Sequence, residues 1–316
     1  GVRSEMYYTP QPSQLPARLH NTQWVADRAA SFLIRRDRSR PFFLFASFIK
    51  PHPPFESPTP WNQLYRTSQM PGPYVPDDAS DYWTHWNRCQ NRYKYCDAGR
   101  DRLLERTRKA AYYGAISFID HAIGQIIAAL GDDIDNTLII FTADHGELMG
   151  DYGCYGKRSM LDASVRVPLI VRQPHRFRSG QRVDDAVSLL SIMPTCLAAA
   201  GDPHPIVHRE GADLRDVARG MAAGPVFSQY QRGRYALYLA AENGVKFVRS
   251  AADNRSWHLA SDSQSLRDRI VTRHEAEDHT AGMLEHALIR RFEQDGYTHA
   301  AADGRWVDYE PVPRIR

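Results

Sequence analysis

The stretch PFFLFASFI, Pro41–Ile49, runs directly into KPHPPF, Lys50–Phe55, and this junction indicates the fold class of the chain. A continuous apolar run of this length is typical of a strand that is buried on both faces, as in a parallel sheet. The prolines that follow end the strand, because proline lacks a backbone N–H and has a fixed φ. The junction therefore predicts a buried strand whose carboxyl end carries Lys50 and His52.

The same pattern recurs further along the chain. Leu138–Thr142 predicts a second buried strand, which ends in the polar segment 143–147, and 167–171 predicts a third. Apolar residues at helical spacing predict helices at 21–36 and 107–130, with Asn21 or Thr22 as the N-cap of the first. Alternation of strands and helices predicts an α/β fold, with a mostly parallel central sheet flanked by helices.

Residues 188–200 predict a strand, a turn and a helix that ends at Gly201. The sequence pattern changes after about residue 220. Four short strands joined by Gly- and Asn-bearing turns then predict an antiparallel sheet at 226–230, 235–240, 245–250 and 257–259, followed by a helix at 281–294. We therefore predict two domains. They are an α/β domain at 1–220, with an aromatic and proline-rich insertion at about 56–106, and a small α+β domain at 221–316.

The composition excludes several classes of protein. The 316 residues include 40 Lys and Arg against 37 Asp and Glu, and a net charge of +3 is too even to indicate a nucleic-acid or membrane-surface protein. The longest apolar run is far below the roughly 18 residues of a membrane span. Four cysteines are too few for a disulfide-built scaffold.

The ends of the two best-defined strands carry side chains suited to an anionic ligand and a metal ion. Asp144 and His145 offer an anionic oxygen and an imidazole, a plausible pair of metal ligands, and Gly146 allows close backbone approach. Lys157 follows a glycine-rich segment and can act as a point charge on an anionic substrate. Taken alone, the Asp-His-Gly tripeptide could equally decorate a surface loop, and Lys157 could be a solvated charge.

Together these segments resemble the sulfatase family of the alkaline-phosphatase superfamily. The matching stretches are Pro41–Phe55, Thr142–Glu147, Gly156–Arg158, Arg166–Ile170 and Ser188–Thr195 followed by Ala200-Gly201. The resemblance implies an alkaline-phosphatase-like fold that is incomplete in this chain.

The resemblance also implies roles for individual residues. Asp144 and His145 would be two ligands of a divalent metal, most often Ca²⁺ in these enzymes, although calcium prefers oxygen ligands. His52 and Lys157 would contact the sulfate, neutralise its charge and help protonate the leaving oxygen, and Lys50 would be a substrate-binding residue.

One part of the family pattern is missing where the family has it. The family nucleophile is a formylglycine made from Cys or Ser in Cys/Ser-x-Pro/Ala-x-Arg, upstream of the Lys-Pro-His segment, and two metal-binding Asp residues precede it. The residues before Lys50 contain neither feature. Cys96–Arg100 fits the pattern but lies after Lys-Pro-His, which favours coincidence. We therefore expect the chain to be the C-terminal portion of a sulfatase, inactive alone.

Other groupings admit two interpretations. His85, Cys89 and Cys96 could suggest zinc but lack a paired Cys-x-x-Cys and a fourth ligand. Asp120-His121 fits a polar helix face. Seven aromatic residues could stack on a sugar or simply fasten the insertion, and these are Trp61, Tyr65, Tyr82, Trp83, Trp86, Tyr93 and Tyr95.

Two other functions stay open beside the sulfatase interpretation. One is a phosphodiesterase or phosphonate monoester hydrolase of the same superfamily, and the other is a non-catalytic glycan-binding module. The expected partner is a sulfated small molecule or glycan, without nucleic acid or a membrane span. Export to the periplasm or outside the cell is expected from the resemblance alone. The sequence predicts neither the oligomeric state nor the exact substrate.

Overall fold

A computed structural model describes residues 8–75, 101–202, 211–221, 224–261, 267–271 and 278–312. The described residues form two compact units. The first comprises 8–75, 101–136 and 149–154, and the second comprises 137–148 and the described residues from 155 onwards. The predicted domain boundary near residue 220 stays a prediction.

The first unit contains two long helices and one short parallel strand pair. Its elements are β1 (Gln11–Pro12), α1 (Asn21–Arg35), β2 (Glu56–Ser57) and α2 (Arg102–Ala128), with 3-10 turns at Ala17–Leu19, Trp61–Gln63, Thr67–Gln69 and Gly131–Asn136. The helices α1 and α2 pack against each other and bury small and apolar side chains, among them Ala26, Leu33, Phe118 and Ala122. Both helices were predicted. The predicted N-cap was wrong, because His20 caps α1 by accepting a hydrogen bond from the Thr22 amide at 3.2 Å.

The apolar run at 41–49 does not form the predicted buried strand. It has no regular secondary structure, and Phe43 and Phe45 are 75% and 80% exposed. A strand that is buried on both faces needs neighbouring strands, and no strand in the described part of the chain pairs with this run. Its apolar sequence is therefore not sufficient to bury it.

The second unit begins with an antiparallel strand pair. It contains β3 (Ile139–Thr142), α3 (Asp162–Val165) and β4 (Leu169–Arg172). A 3-10 turn at Asp151–Gly153 lies between β3 and α3 in the sequence but belongs to the first unit. Thr142 pairs with Leu169 and Ile139 with Arg172, so the strands are antiparallel. The prediction of two strands here is confirmed. Their pairing is antiparallel, whereas the strands of the central sheet were expected to be mostly parallel. The connection 143–168 contains the 3-10 turn and the one-turn helix α3. It returns the chain to the same end of the strand pair, whereas a parallel pair needs a crossover to the opposite end.

The remaining elements of the second unit are helical and then antiparallel. They are a 3-10 turn at Leu189–Ser191, α4 (Ile192–Ala200), α5 (Leu214–Ala218), β5 (Val226–Tyr230), a 3-10 turn at Gly233–Tyr235, β6 (Leu237–Glu242), β7 (Val245–Ser250), β8 (Arg255–Ser261), β9 (Asp268–Val271), α6 (Asp278–Gln294), β10 (Ala301–Ala302) and β11 (Arg305–Trp306). Residues 188–191 form no strand, but Gly201 ends α4 with a left-handed φ of 76°, as expected for a C-terminal glycine.

The C-terminal sheet has the sequential order β5-β6-β7-β8-β9, and all its pairs are antiparallel. Helix α6 packs on β6 and β7, and Tyr238, Phe247, Leu284 and Leu288 form the buried core between them. The α/β class and the C-terminal antiparallel sheet are thus confirmed. A search of the described residues finds no helix that is both long and apolar enough to span a membrane.

Candidate active site

Asp144 and His145 lie directly after β3, where the chain leaves the strand pair. The Asp144 side chain is 85% exposed, and one of its carboxylate oxygens accepts a hydrogen bond from the His145 amide at 3.0 Å. Its other oxygen lies 3.3 Å from Nε2 of the His145 imidazole. The two predicted ligands therefore point the same way, as neighbours in one coordination sphere do.

The orientation of the His145 ring suits a metal ligand. Its Nδ1 lies 2.9 Å from the Gly146 carbonyl oxygen, and a carbonyl only accepts, so Nδ1 carries the hydrogen. In the neutral imidazole the lone pair on Nε2 then faces the Asp144 carboxylate, and two acceptors repel unless a cation or a proton lies between them. Metal-binding histidines commonly donate their other N–H to a backbone carbonyl in this way.

These two residues fit part of a divalent-cation site. The structure holds no group of three or more His, Cys, Asp or Glu placed to bind a metal among its described residues. Calcium takes six to eight oxygen ligands. Asp144 and His145 can therefore supply two of the ligands, and the remaining ones must come from elsewhere.

The structure brings Lys157 close to the segment that carries these ligands. The Leu148 amide donates to the Gly156 carbonyl at 2.9 Å, and the Gly156 amide donates to the Glu147 carboxylate. The Ser164 hydroxyl on α3 donates to the Lys157 carbonyl. Segments 144–148 and 156–165 are thus held together within the second unit.

Gly146 is where these two segments touch most closely. Its amide donates to the Ser164 carbonyl at 2.8 Å. A Cβ atom at this position would lie 2.1 Å from the Ala163 carbonyl oxygen, a distance that no side chain tolerates. The prediction that Gly146 permits close backbone approach is therefore confirmed.

His52 and Lys50 lie in the first unit, on the proline-rich turn after residue 49. The Lys50 ammonium is buried, donates to the Pro54 carbonyl at 2.7 Å and lies 3.3 Å from the Glu56 carboxylate. Burial lowers the pKa of Lys50, against the attraction of Glu56. His52 Nδ1 lies 2.7 Å from the Pro53 carbonyl oxygen. Lys50 thus holds the turn that presents His52. The predicted convergence of His52 with Asp144 stays a prediction.

Two aromatic side chains of the insertion, Trp61 and Tyr65, pack on α2. Trp61 stacks on Phe118 with a centroid distance of 5.1 Å, and the Tyr65 hydroxyl lies 2.8 Å from Ser117 Oγ. These contacts favour a fastening role for both. The other five aromatic residues of the group, and the possible zinc ligands His85, Cys89 and Cys96, lie outside the described residues.

The Asp120-His121 pair lies on α2. Asp120 is exposed, and His121 contacts Trp61 at a centroid distance of 5.1 Å and Gln125 at 3.0 Å. These are contacts of a polar helix face, as predicted.

A buried ionic cluster behind α3 was missed by the sequence analysis. Lys246 on β7 lies 2.6 Å from Asp162 and 2.5 Å from Asp268. Burial raises the pKa of Asp268. Burial also acts to raise the pKa of Asp162, but attraction and hydrogen bonding by Lys246 outweigh it, so the net shift is downward. The available signal was the position of Lys246 between the apolar residues Val245 and Phe247.

The chain has an α/β fold of the alkaline-phosphatase type. The Sulfatase family profile matches residues 3–202. The chain is 36% identical over 210 residues to an arylsulfatase of Clostridium perfringens, covering 63% of this chain and 42% of that protein. The chain belongs to the sulfatase family.

Solved structures agree on the fold. The phosphonate monoester hydrolase of Silicibacter pomeroyi superposes with a TM-score of 0.72 at 23% identity, covering 93% of this chain and 66% of that one. A structure in complex with its substrate D-glucosamine-2-N,6-O-disulfate superposes with a TM-score of 0.66 at 17% identity, covering 88% of this chain and 69% of that one. The chain spans about two fifths of the length of the Clostridium perfringens arylsulfatase and of a second curated relative, a multifunctional alkaline phosphatase superfamily protein of Trinickia caryophylli.

Proposed function

We propose that this chain provides the anion-binding and part of the cation-binding machinery of a sulfuric ester hydrolase. The proposal rests on three side chains, those of Asp144, His145 and Lys157, which are carried by two segments that hydrogen bond to each other. The carboxylate and imidazole of Asp144 and His145 lie side by side, and Lys157 follows Gly156, which hydrogen bonds to Leu148. A sulfate ester needs this combination, because its oxygens carry the charge that a cation and a lysine offset.

Each residue has a distinct proposed role. Asp144 and His145 hold a divalent cation, with Ca²⁺ as the expected ion, which when bound supplies positive charge beside the sulfate. Lys157 contacts the sulfate oxygens, and His52 contacts the sulfate and helps protonate the leaving oxygen. Lys50 acts indirectly, by fixing the turn that carries His52, rather than as the substrate-binding residue that the resemblance implied.

The chain by itself is proposed to lack turnover. The single match to Cys/Ser-x-Pro/Ala-x-Arg in its sequence is Cys96–Arg100, which follows Lys-Pro-His instead of preceding it. Without a formylglycine nucleophile, only binding and electrostatic groups remain. We expect the purified chain not to hydrolyse an aryl sulfate. Robust hydrolysis that is lost in Cys96→Ala would overturn this part of the proposal.

The proposed substrate is a sulfated sugar. The support is the structural neighbour whose title names a disulfated glucosamine as its substrate, together with the family resemblance. Export from the cytoplasm belongs to the same proposal, and rests on the resemblance alone.

Binding of inorganic sulfate in the presence of calcium tests the proposal directly. We expect calorimetry or NMR titration to detect sulfate binding, and Lys157→Met to weaken it by roughly 10- to 150-fold, because a charge-assisted hydrogen bond contributes about 1.5–3 kcal/mol. The control is Arg182→Met, since Arg182 is an exposed cation of the same unit that pairs with Asp184 at 2.9 Å. Equal weakening in both variants would reduce the effect to net charge and refute a specific site.

A phosphonate monoester hydrolase is the second candidate function. The structural likeness to such an enzyme has a TM-score of 0.72, against 0.66 for the disulfate-bound neighbour. Competition between sulfate and methylphosphonate for the same chain separates the two. Tighter binding of the phosphonate, with the same dependence on Lys157, would favour the second candidate.

A further inference from the structure

A buried ionic cluster joins the C-terminal sheet to the helix behind the candidate site. Lys246 donates to the Met160 carbonyl at 3.1 Å and to Asp162 at 2.6 Å. The Asp162 amide, in the first turn of α3, donates to the Asp268 carboxylate at 2.5 Å. The side chains of Lys246 on β7 and Asp268 on β9 therefore bind the side chain and the amide of Asp162 at the start of α3.

The cluster is enclosed and its charges are finely balanced. The side chains of Lys246, Asp162 and Asp268 are 4%, 5% and 0% exposed. Two carboxylates face one ammonium, and Arg166 adds a further cation 3.5 Å from Asp162. A buried ion pair often adds little net stability, because desolvation offsets the attraction, but removal of one partner leaves a buried charge unpaired. Because a buried ion pair is favourable only in a narrow range of distances and angles, it can fix one placement of α3 on the sheet.

The same short helix holds both segments of the candidate site. The carbonyl of Ser164 accepts from the Gly146 amide at 2.8 Å, and the hydroxyl of Ser164 donates to the Lys157 carbonyl. A shift of α3 would therefore move the Asp144-His145 turn and Lys157 together.

We infer that Lys246 is a positioning residue, which fixes α3 and through it the relative placement of Asp144, His145 and Lys157. The C-terminal sheet thereby sets the geometry of a site to which it contributes no ligand. The positioning role follows from contacts within the second unit. Its consequence for sulfate binding rests on the proposed function.

The test compares two buried cations on the same strand. Lys246→Met removes the ammonium that holds α3, whereas Arg249→Met removes a cation that bonds instead to Asn254 and Asp308. Amide hydrogen exchange of Gly146 reports directly on its bond to Ser164. We expect Lys246→Met to accelerate it about tenfold relative to the Leu239 amide in β6, and Arg249→Met to leave that ratio within about twofold.

The ratio to Leu239 excludes a merely structural effect, because general destabilisation accelerates exchange at both amides. An unchanged ratio in folded Lys246→Met overturns the inference. If Lys246→Met does not fold, Asp268→Asn, which keeps the shape of the side chain and removes its charge, serves as the same test with the same outcomes.

Sulfate titration in calcium separates the inference from the proposed function. Faster Gly146 exchange together with at least about fivefold weaker sulfate binding in Lys246→Met supports both. Faster exchange in a protein that never binds sulfate supports positioning and refutes the proposed function. Unchanged exchange with intact sulfate binding refutes positioning and leaves the proposed function standing.

Discussion

Substitution of Gly146 by alanine gives the sharpest test of how the candidate site is built. The new Cβ would lie 2.1 Å from the Ala163 carbonyl oxygen and 3.0 Å from its carbon. Both are backbone atoms, so the segments must separate by about 1.4 Å to restore van der Waals contact, since optimal contacts lie near 3.5 Å. That movement breaks the Gly146–Ser164 hydrogen bond of 2.8 Å.

The expected loss of stability follows from these two effects. Overpacking costs about 1–3 kcal/mol, and a lost backbone hydrogen bond adds about 0.5–1.5 kcal/mol. A total near 2–4 kcal/mol corresponds to a melting temperature lower by roughly 4–16 °C for a unit of this size. Urea denaturation followed by circular dichroism, together with thermal melting, measures the change.

Gly72→Ala is the matched control. Gly72 also lies in a loop, its φ is not positive, and a Cβ there would have no atom within 4 Å. We expect this variant to be unchanged, or more stable by about 0.4–1 kcal/mol through a less flexible unfolded chain. If the free energy of unfolding of Gly146→Ala lies within about 0.5 kcal/mol of that of the control, the close-packing argument is refuted.

Three further predictions concern pH, solubility and calcium. Burial, reinforced by Lys50, lowers the pKa of His20 below 6.5, so its contribution to stability is complete above pH 6.5 and falls as the pH drops below it. His20→Asn, which keeps an N-cap acceptor, should flatten this acid-side decline in melting temperature, and an unchanged slope would exclude His20 as its source. Phe45→Asp should reduce light scattering on heating without lowering the melting temperature, because Phe45 is 80% exposed; a marked drop would mean that Phe45 is packed. Millimolar calcium should raise the melting temperature by less than about 2 °C, since two ligands bind the ion weakly, and a large rise abolished by Asp144→Ala would indicate a complete site.

Sequence periodicity predicted the elements whose stability is local. Helices α1 and α2 and strand β7 lie close to where their patterns predicted them. In each, the spacing of apolar residues within the element itself identifies the buried face. The run 41–49 shows the limit of the same reasoning. An apolar run reports that burial is favourable, but not whether a partner strand is available. The antiparallel pairing of β3 with β4 is likewise decided by a connection of 26 residues, 143–168, rather than by either strand.

The residues of the candidate site also divide into those that the sequence identified and those that only the structure revealed. Asp144, His145 and Lys157 were identified because chemically informative residues stand next to turn-forming glycines in a short motif. Lys246 could not be identified in this way, since its bond to Asp162 spans 84 positions. The sequence around it predicts a strand correctly, but does not reveal which carboxylates its ammonium will meet.

The position of Lys246 and Asp268 bears on how the sulfatase match should be understood. The family profile covers residues 3–202 and so contains His52, Asp144, His145 and Lys157. The residues that grip α3 lie beyond it, in the C-terminal sheet. If Lys246 fixes the placement of Lys157, two relatives can share every residue of the motif and still differ in how their charges are arranged. Affinity for the sulfate ester would then vary with the sheet, because electrostatic stabilisation depends on prearranged charges as much as on their identity.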